Sequence, residues 1–84
     1  MRTSDELDAA LRRLGYFLHR ARPDSDAPRR RWRVLCLQSH AGWDCDNLEE
    51  VRSLLRALRE WDARGRRGLD IIWDGVDWVC VDVE

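Results

Sequence analysis

The fold depends first on one stretch of sequence, DNLEEVRSLLRALREWDARG at residues 46–65. Its apolar residues recur at helical spacing and predict an amphipathic helix over 47–64 with one buried face. Asp46, followed three residues later by Glu49, predicts the N-terminal cap, and Gly65 predicts the C-terminal stop. The apolar stripe consists of Leu48, Val51, Leu54, Leu55, Leu58 and Trp61. This is the most strongly patterned element of the chain.

The N-terminal part of the chain predicts another amphipathic helix. Its apolar stripe consists of Leu7, Leu11, Leu14 and Leu18. This spacing predicts a helix over 4–22, which ends before Pro23 because proline disfavours the helical conformation in the preceding residue. Residues 23–29 then form a polar linker.

Strand-forming segments lie on either side of the central helix. Residues 31–38 carry an apolar, β-favouring run that predicts a strand. Residues 39–45 contain a glycine and small polar residues and break the apolar period, so they predict a loop. After the helix, residues 69–73 and 76–83 flank an Asp-Gly pair that favours a tight turn, and together they predict a β-hairpin.

The register of this hairpin and the strand order follow from less direct signals. A two-residue loop aligns Ile71 with Trp78, whereas a four-residue loop aligns Trp73 with Trp78, and the sequence permits both. A right-handed crossover through the helix makes the first two strands parallel, and the apolar last strand suits the middle of the sheet. We therefore predict one α+β domain over residues 1–84, with element order α-β-α-β-β. Its three-stranded mixed sheet has strand order 1-3-2 and carries both helices on one face. The uncovered face predicts a partner or a homodimer.

Length and composition restrict the class of protein. With 84 residues, 44% of them hydrophobic and 37% charged, the chain predicts one globular domain. Its apolar runs are far shorter than the ~20 residues of a membrane span, so we expect no membrane association. The cysteines are Cys36, Cys45 and Cys80, an odd number without a disulfide pattern, which favours a reducing compartment and a cytoplasmic protein.

Charge is distributed unevenly along the chain. The net charge of −1 hides an arginine-rich first half and a segment, residues 68–84, with five acids and no arginine. Acidic surfaces attract basic partners, and exposed tryptophan is enriched at binding hot spots. The predicted partner-binding residues are Asp70, Asp74, Asp77, Asp82, Trp73 and Trp78 of the hairpin, with Trp43 and Asp44 of the loop before the helix. The alternative is that the acids only solubilise an edge strand and a turn.

We therefore expect a small non-enzymatic interaction protein that binds a basic surface of a protein partner through its acidic C-terminal hairpin. In size and charge layout the chain resembles small acidic-faced proteins of phages and mobile elements that block nucleic-acid-binding machinery, such as anti-CRISPR proteins and nuclease inhibitors. That resemblance implies that the hairpin aspartates imitate phosphates and occupy a groove lined by arginine and lysine. Binding should then weaken steeply with salt.

Two other functions stay open on the sequence. Basic residues around Trp32 can hold phosphates while the indole stacks on a base, although the negative net charge disfavours a nucleic-acid-binding domain. These basic residues are Arg29, Arg30, Arg31 and Arg33. Cys45 at a helix start, with His40 as a base, is a weak signal for a thiol enzyme. The sequence has no metal-ligand spacing and no cofactor motif, so we predict neither a metal nor a cofactor.

Overall fold

The structure, a computed structural model, describes residues 3–20, 32–39 and 41–83. Within these residues the chain forms two helices and five strands. In chain order they are α1 Thr3–Arg13, β1 Tyr16–Arg20, β2 Trp32–Cys36, β3 Gly42–Cys45, α2 Leu48–Ala63, β4 Leu69–Trp73 and β5 Trp78–Asp82. Strands β1, β2 and β3 form one antiparallel sheet in that order, and β4 and β5 form a separate antiparallel hairpin. The prediction of one mixed sheet with strand order 1-3-2 and both helices on one face is therefore wrong.

The first helix is shorter than predicted because Gly15 follows its end. Gly15 has a φ of +95°, a left-handed conformation that residues with side chains rarely adopt, and its N–H donates to the Arg12 carbonyl. The chain reverses there, and Tyr16–Arg20 forms the edge strand β1 where the sequence predicts further helical turns. The Asp8 carboxylate accepts a hydrogen bond from the Leu18 N–H at 2.9 Å, which holds this strand against α1.

The predicted loop over 39–45 contains the other edge strand of the three-stranded sheet, β3. This strand pairs with β2, and a salt bridge of 2.8 Å joins Arg33 to Asp44 across the pair. Side chains alternate between the faces of a strand, so Trp43 and Cys45 point to the core side and Asp44 to the other. Cys45 is only 1% exposed. The segment before α2 is therefore part of the packed structure.

Helix α2 begins at Leu48, one residue later than predicted. Asn47, not Asp46, is the N-cap residue, and its side-chain oxygen accepts a hydrogen bond from the Glu50 N–H at 2.9 Å. The Glu50 carboxylate accepts a hydrogen bond from the Asp46 N–H at 3.2 Å, which completes a variant of the capping box that reaches the residue before the N-cap. At the other end, Gly65 has a φ of +84° and its N–H donates to the Asp62 carbonyl, as expected of a glycine that ends a helix.

The apolar core forms around α2, which packs against α1 and against strands of both sheets. Its buried apolar members are Leu7, Leu11, Tyr16, Val34, Cys45, Val51, Leu54, Leu55, Ala57, Leu58 and Ile71. Of the described residues, the two helices supply seven of these, the three-stranded sheet three and the hairpin one. The buried Ser53 hydroxyl also accepts a hydrogen bond from the Trp78 N–H at 2.8 Å and joins β5 to the helix.

The hairpin adopts the register of a four-residue loop, with Trp73 opposite Trp78. Within the loop, the Asp74 carboxylate accepts hydrogen bonds from the N–H groups of Asp77 at 2.7 Å and of Val76 at 2.8 Å. This is the way in which aspartate stabilises turns. The same two hydrogen bonds lower the pKa of Asp74 below its usual value, because they favour the ionised carboxylate. The loop therefore carries a stable negative charge.

Some sequence-based predictions fall outside the described residues. The polar linker over 23–29 lies there, with the last part of the first predicted helix. In the described ranges, neither helix has both the length and the apolar character needed to cross a lipid bilayer.

Candidate functional site

A cleft of about 390 Å³ opens where the edge strand β3, the start of α2 and the tip of the hairpin meet. Among the described residues that line it, three are tryptophans, three are acids and none is basic. The lining consists of Gly42, Trp43, Asp44, Asp46, Glu50, Trp73 and Trp78. We call this site the tryptophan cleft. It is formed by two segments, residues 42–50 and 73–78, that are distant in the sequence.

Contacts with different elements position the three indoles of the tryptophan cleft. Trp73 and Trp78 lie opposite each other on β4 and β5, with ring centroids 5.5 Å apart and planes inclined by 60°. The Ser53 hydrogen bond to the Trp78 backbone fixes this pair beside the helix. Trp43 meets the buried ring of Tyr16 edge-on at a centroid distance of 5.7 Å. The core therefore supports the cleft from behind, and Trp73, at 40% exposed, stands at its surface.

The carboxylates of the tryptophan cleft come from β3 and from the start of α2. Asp44 pairs with Arg33 at 2.8 Å, and Glu50 belongs to the capping box through the Asp46 N–H and the Asn47 side chain. Asp46 is exposed, and its capping contact uses the backbone N–H, not the carboxylate. Asp44, Asp46 and Glu50 thus bring three carboxylates to the tryptophan cleft, and none of the described lining residues is basic.

The four predicted hairpin aspartates do not form one acidic face. Asp82 lies at the open end of the hairpin and pairs with Arg64 at 3.1 Å. Asp70 is displaced from Asp82 by one register position, so its side chain points to the other face of the strand pair. Asp74 and Asp77 belong to the loop between the two tryptophans and do not line the tryptophan cleft; Asp77 lines an adjacent cavity that shares Trp78 with it.

The structure thus brings together part of the predicted set and adds two acids to it. The predicted residues that line the tryptophan cleft are Trp43, Asp44, Trp73 and Trp78. The added acids are Asp46 and Glu50. Sequence reasoning missed them as site residues because acids at a helix start are ordinary capping residues. Their nearness to Trp43 in the sequence was the one available signal.

The residues of the two alternative functions are placed as follows. Arg29, Arg30 and Arg31 lie outside the described residues, and Arg33 lies on β2, where Asp44 neutralises it. Nucleic acid bound at Arg33 would therefore compete with Asp44 for the charge of this guanidinium.

Cys45, the candidate thiol nucleophile, is buried in the core, and burial raises the pKa of its thiol to about 12. A nucleophilic cysteine needs a lowered pKa, so the environment acts in the opposite direction. His40 lies outside the described residues. Elsewhere in the described chain, no group of three or more histidine, cysteine, aspartate or glutamate side chains is arranged to hold a metal ion.

Comparisons of this chain with protein-family models, with curated proteins and with solved structures give no match. The tryptophan cleft itself combines aromatic faces with carboxylates. Aromatic faces attract cations through the quadrupole of the ring, and carboxylates attract them by charge. The chemistry of the site therefore favours a positively charged ligand.

Proposed function

We propose that this protein is a small non-enzymatic interaction protein that binds a basic surface of a protein partner. Its binding surface consists of the tryptophan cleft and the adjoining hairpin loop. The observation that carries the proposal is that three tryptophans, of which Trp73 is exposed, and three carboxylates meet at one site. Tryptophan is the residue type most enriched at binding hot spots, and a surface of one charge attracts a partner of the other.

The distribution of exposed apolar side chains also favours the hairpin as part of the binding surface. In the described chain, four of the five large apolar side chains that are most exposed belong to residues 72–83. These four are Ile72, Trp73, Val76 and Val83. Such a concentration of exposed apolar side chains in one part of the chain favours an interaction there, and of these four Trp73 lines the tryptophan cleft. A partner that covers the hairpin would remove it from water.

The particular form that we propose is an inhibitor of nucleic-acid-binding machinery, of the kind encoded by phages and mobile elements. The loop carboxylates of Asp74 and Asp77 would stand where the partner otherwise binds phosphates. A nucleic-acid-binding groove is rich in arginine and lysine, and its positive charge is complementary to the carboxylates of the tryptophan cleft. We propose a cytoplasmic location, because all three cysteines are free thiols.

A charge-reversal experiment tests this function. We expect the wild-type protein to bind immobilised poly-L-lysine in about 50 mM salt and to lose about 10-fold in affinity by about 300 mM. The double variant Asp46→Arg with Asp77→Arg reverses charge beside the tryptophan cleft and leaves Asp74 and its hydrogen bonds in place. We expect this variant to bind at least about 10-fold more weakly than wild type.

The matched control is the double variant Asp5→Arg with Glu6→Arg, which makes the same change in net charge on the exposed first turn of α1. We expect it to lower the affinity less than about 3-fold. An equal loss in both double variants would show that binding follows net charge and not this site. A gel shift of DNA or RNA by the wild-type protein at low salt would favour the nucleic-acid alternative instead.

A further inference from the structure

Two arginines of this chain lie over indole rings that are not part of the tryptophan cleft. The Arg66 guanidinium lies 4.9 Å from the centroid of Trp61, and the Arg20 guanidinium lies 5.7 Å from that of Trp32. Both distances are within the range of a cation–π interaction. In the part of the chain that the structure describes, no such cation lies over the three tryptophans of the cleft. Among the described residues, arginines therefore lie over Trp32 and Trp61 and not over the indoles of the tryptophan cleft.

The acids beside these indoles can hold a cation in the same place. Asp46 and Glu50 both line the tryptophan cleft, and the Asp46 carboxylate is exposed at its edge. The start of α2 carries about half a positive charge, which opposes a cation there. The capping box satisfies part of this helix end, and two full negative charges from Asp46 and Glu50 exceed the helix contribution. The local field consequently favours a positive ligand.

The size and shape of the site favour arginine. A volume of about 390 Å³ lies at the low end of the ~300–1,000 Å³ typical of ligand sites, which suits one side chain better than a long peptide. A guanidinium is planar, stacks on an indole face and presents several N–H donors to carboxylates in the same plane. A lysine ammonium is a compact, strongly hydrated charge that gains less from stacking.

We infer that the tryptophan cleft receives the guanidinium of one arginine side chain from the basic protein partner. The guanidinium stacks on the indoles of the Trp73 and Trp78 pair and donates hydrogen bonds to Asp46. This inference rests on the proposed function and adds the residue type through which the partner is recognised. The rest of the partner's basic surface then lies against the loop carboxylates of Asp74 and Asp77.

The test uses a single amino-acid derivative as the ligand. Nα-acetyl-L-arginine amide and Nα-acetyl-L-lysine amide are titrated separately into the full-length protein, and the five indole N–H signals are followed by NMR. We expect the arginine derivative to shift the signals of Trp43, Trp73 and Trp78 in a saturable way and to bind at least about 3-fold more tightly than the lysine derivative. The Trp32 and Trp61 signals serve as internal controls and should stay in place.

Two variants with a control identify the contacts. Trp73→Leu should weaken binding of the arginine derivative by about 2- to 5-fold, the fold-change that corresponds to one exposed cation–π contact. Asp46→Asn should weaken it as well, and its backbone N–H still completes the capping box. Ile72→Ala is the control, because the exposed Ile72 is adjacent to Trp73 but its side chain points to the other face of the hairpin. We expect no change in affinity for this variant.

The outcomes separate this inference from the proposed function. Equal affinity for the two derivatives, or unchanged arginine affinity in Trp73→Leu, overturns the arginine assignment even where poly-L-lysine binding persists. Absence of poly-L-lysine binding by the wild-type protein at low salt overturns the proposed function. If the free protein sediments as a dimer that Nα-acetyl-L-arginine amide dissociates, the arginine comes from a second copy of this chain, which overturns the assignment to another protein.

Discussion

The three-stranded sheet and the hairpin pack against the same helix, but they contribute to the molecule in opposite ways. The sheet buries Tyr16, Val34 and Cys45, each at most 1% exposed. Among the described residues of the hairpin, Ile71 alone is buried, and its neighbour Ile72 is 43% exposed. The sheet therefore builds the core, and the hairpin presents surface. Substitutions in the sheet should change stability, and most substitutions in the hairpin should change binding.

The two sheets also differ in what joins them to α2. The three-stranded sheet is joined through buried apolar contacts. The hairpin adds polar links, namely the Trp78 N–H to the Ser53 hydroxyl at 2.8 Å, the Trp61 indole N–H to the Leu69 carbonyl at 3.3 Å, and Arg64 to Asp82 at 3.1 Å. Each hydrogen bond has a defined direction, so these links fix the position of the hairpin as well as attach it. A binding site shared between the hairpin and the start of α2 requires this fixed position.

The largest effect is expected when the same replacement, valine by asparagine, is compared between the three-stranded sheet and the hairpin. Val34→Asn in β2 should lower the free energy of unfolding by about 3–5 kcal/mol, because it removes a buried apolar side chain and buries an amide without partners. Val76→Asn in the hairpin loop, at 76% exposed, should change it by less than about 0.5 kcal/mol. Urea denaturation followed by tryptophan fluorescence measures both. Similar losses in the two variants would contradict the division between core and surface.

The same division shows which parts of the fold the sequence could predict. The helix predicted over 47–64 is Leu48–Ala63, and the two hairpin segments contain β4 and β5, because their signals are local periodicity, caps and a turn. The first helix was predicted too long because Leu14 and Leu18 continue its apolar spacing. Gly15 lies between those two leucines, and its left-handed backbone conformation ends the helix there. A single glycine inside a helical pattern is only a weak signal for a helix end.

The sheet order and the site depended on contacts between distant residues. Strand β3 has four residues, and the sequence presents its glycine and aspartate as loop signals. Its pairing with β2 replaces the parallel crossover that we predicted. Trp43, Trp73 and Trp78 were each identified from the sequence as candidates for binding. Their meeting in one cleft involves long-range contacts such as the hydrogen bond from the Trp78 N–H to Ser53, 25 residues away, which no local pattern predicts.

A smaller effect is expected from removing that hydrogen bond. Ser53→Ala leaves the Trp78 N–H without its partner and should lower the free energy of unfolding by about 1–2 kcal/mol. It should also move the indole signals of Trp73 and Trp78, because the hairpin loses a fixed contact with α2. Ser39→Ala is the control, since the exposed Ser39 hydroxyl bonds only near neighbours in the sequence, the Ala41 N–H at 3.3 Å and the Cys36 side chain, and does not join the hairpin to α2. Unchanged stability in Ser53→Ala would show that the other contacts between the hairpin and α2 hold the hairpin without this hydrogen bond.

The smallest effect, and the one whose sign is most informative, is expected at Tyr16 in β1. Its ring is buried in the core, and its hydroxyl has no hydrogen-bond partner among the described residues. Tyr16→Phe removes a buried polar atom and keeps the ring against Trp43, so the free energy of unfolding should stay the same or rise by up to about 1 kcal/mol. Tyr16→Leu, which loses the ring contact, should instead destabilise the protein. A clear loss of stability in Tyr16→Phe would show that the hydroxyl makes a stabilising contact.

The pH dependence of the free energy of unfolding provides a second comparison of wild type with Tyr16→Phe. Burial raises the pKa of the Tyr16 hydroxyl above its usual value of 10.0, and the nearby Arg66 opposes this shift only in part. Because the pKa of Tyr16 is higher in the folded chain than in the unfolded chain, ionisation of its hydroxyl favours unfolding. The stability contributed by the neutral hydroxyl is therefore fully present below pH 10 and is lost as the pH rises further. Urea denaturation at pH 8 and above about pH 10 should therefore show a steeper alkaline loss for wild type than for Tyr16→Phe. Charge substitutions on the exposed hairpin loop should leave this difference unchanged, because the group responsible lies in the sheet that builds the core.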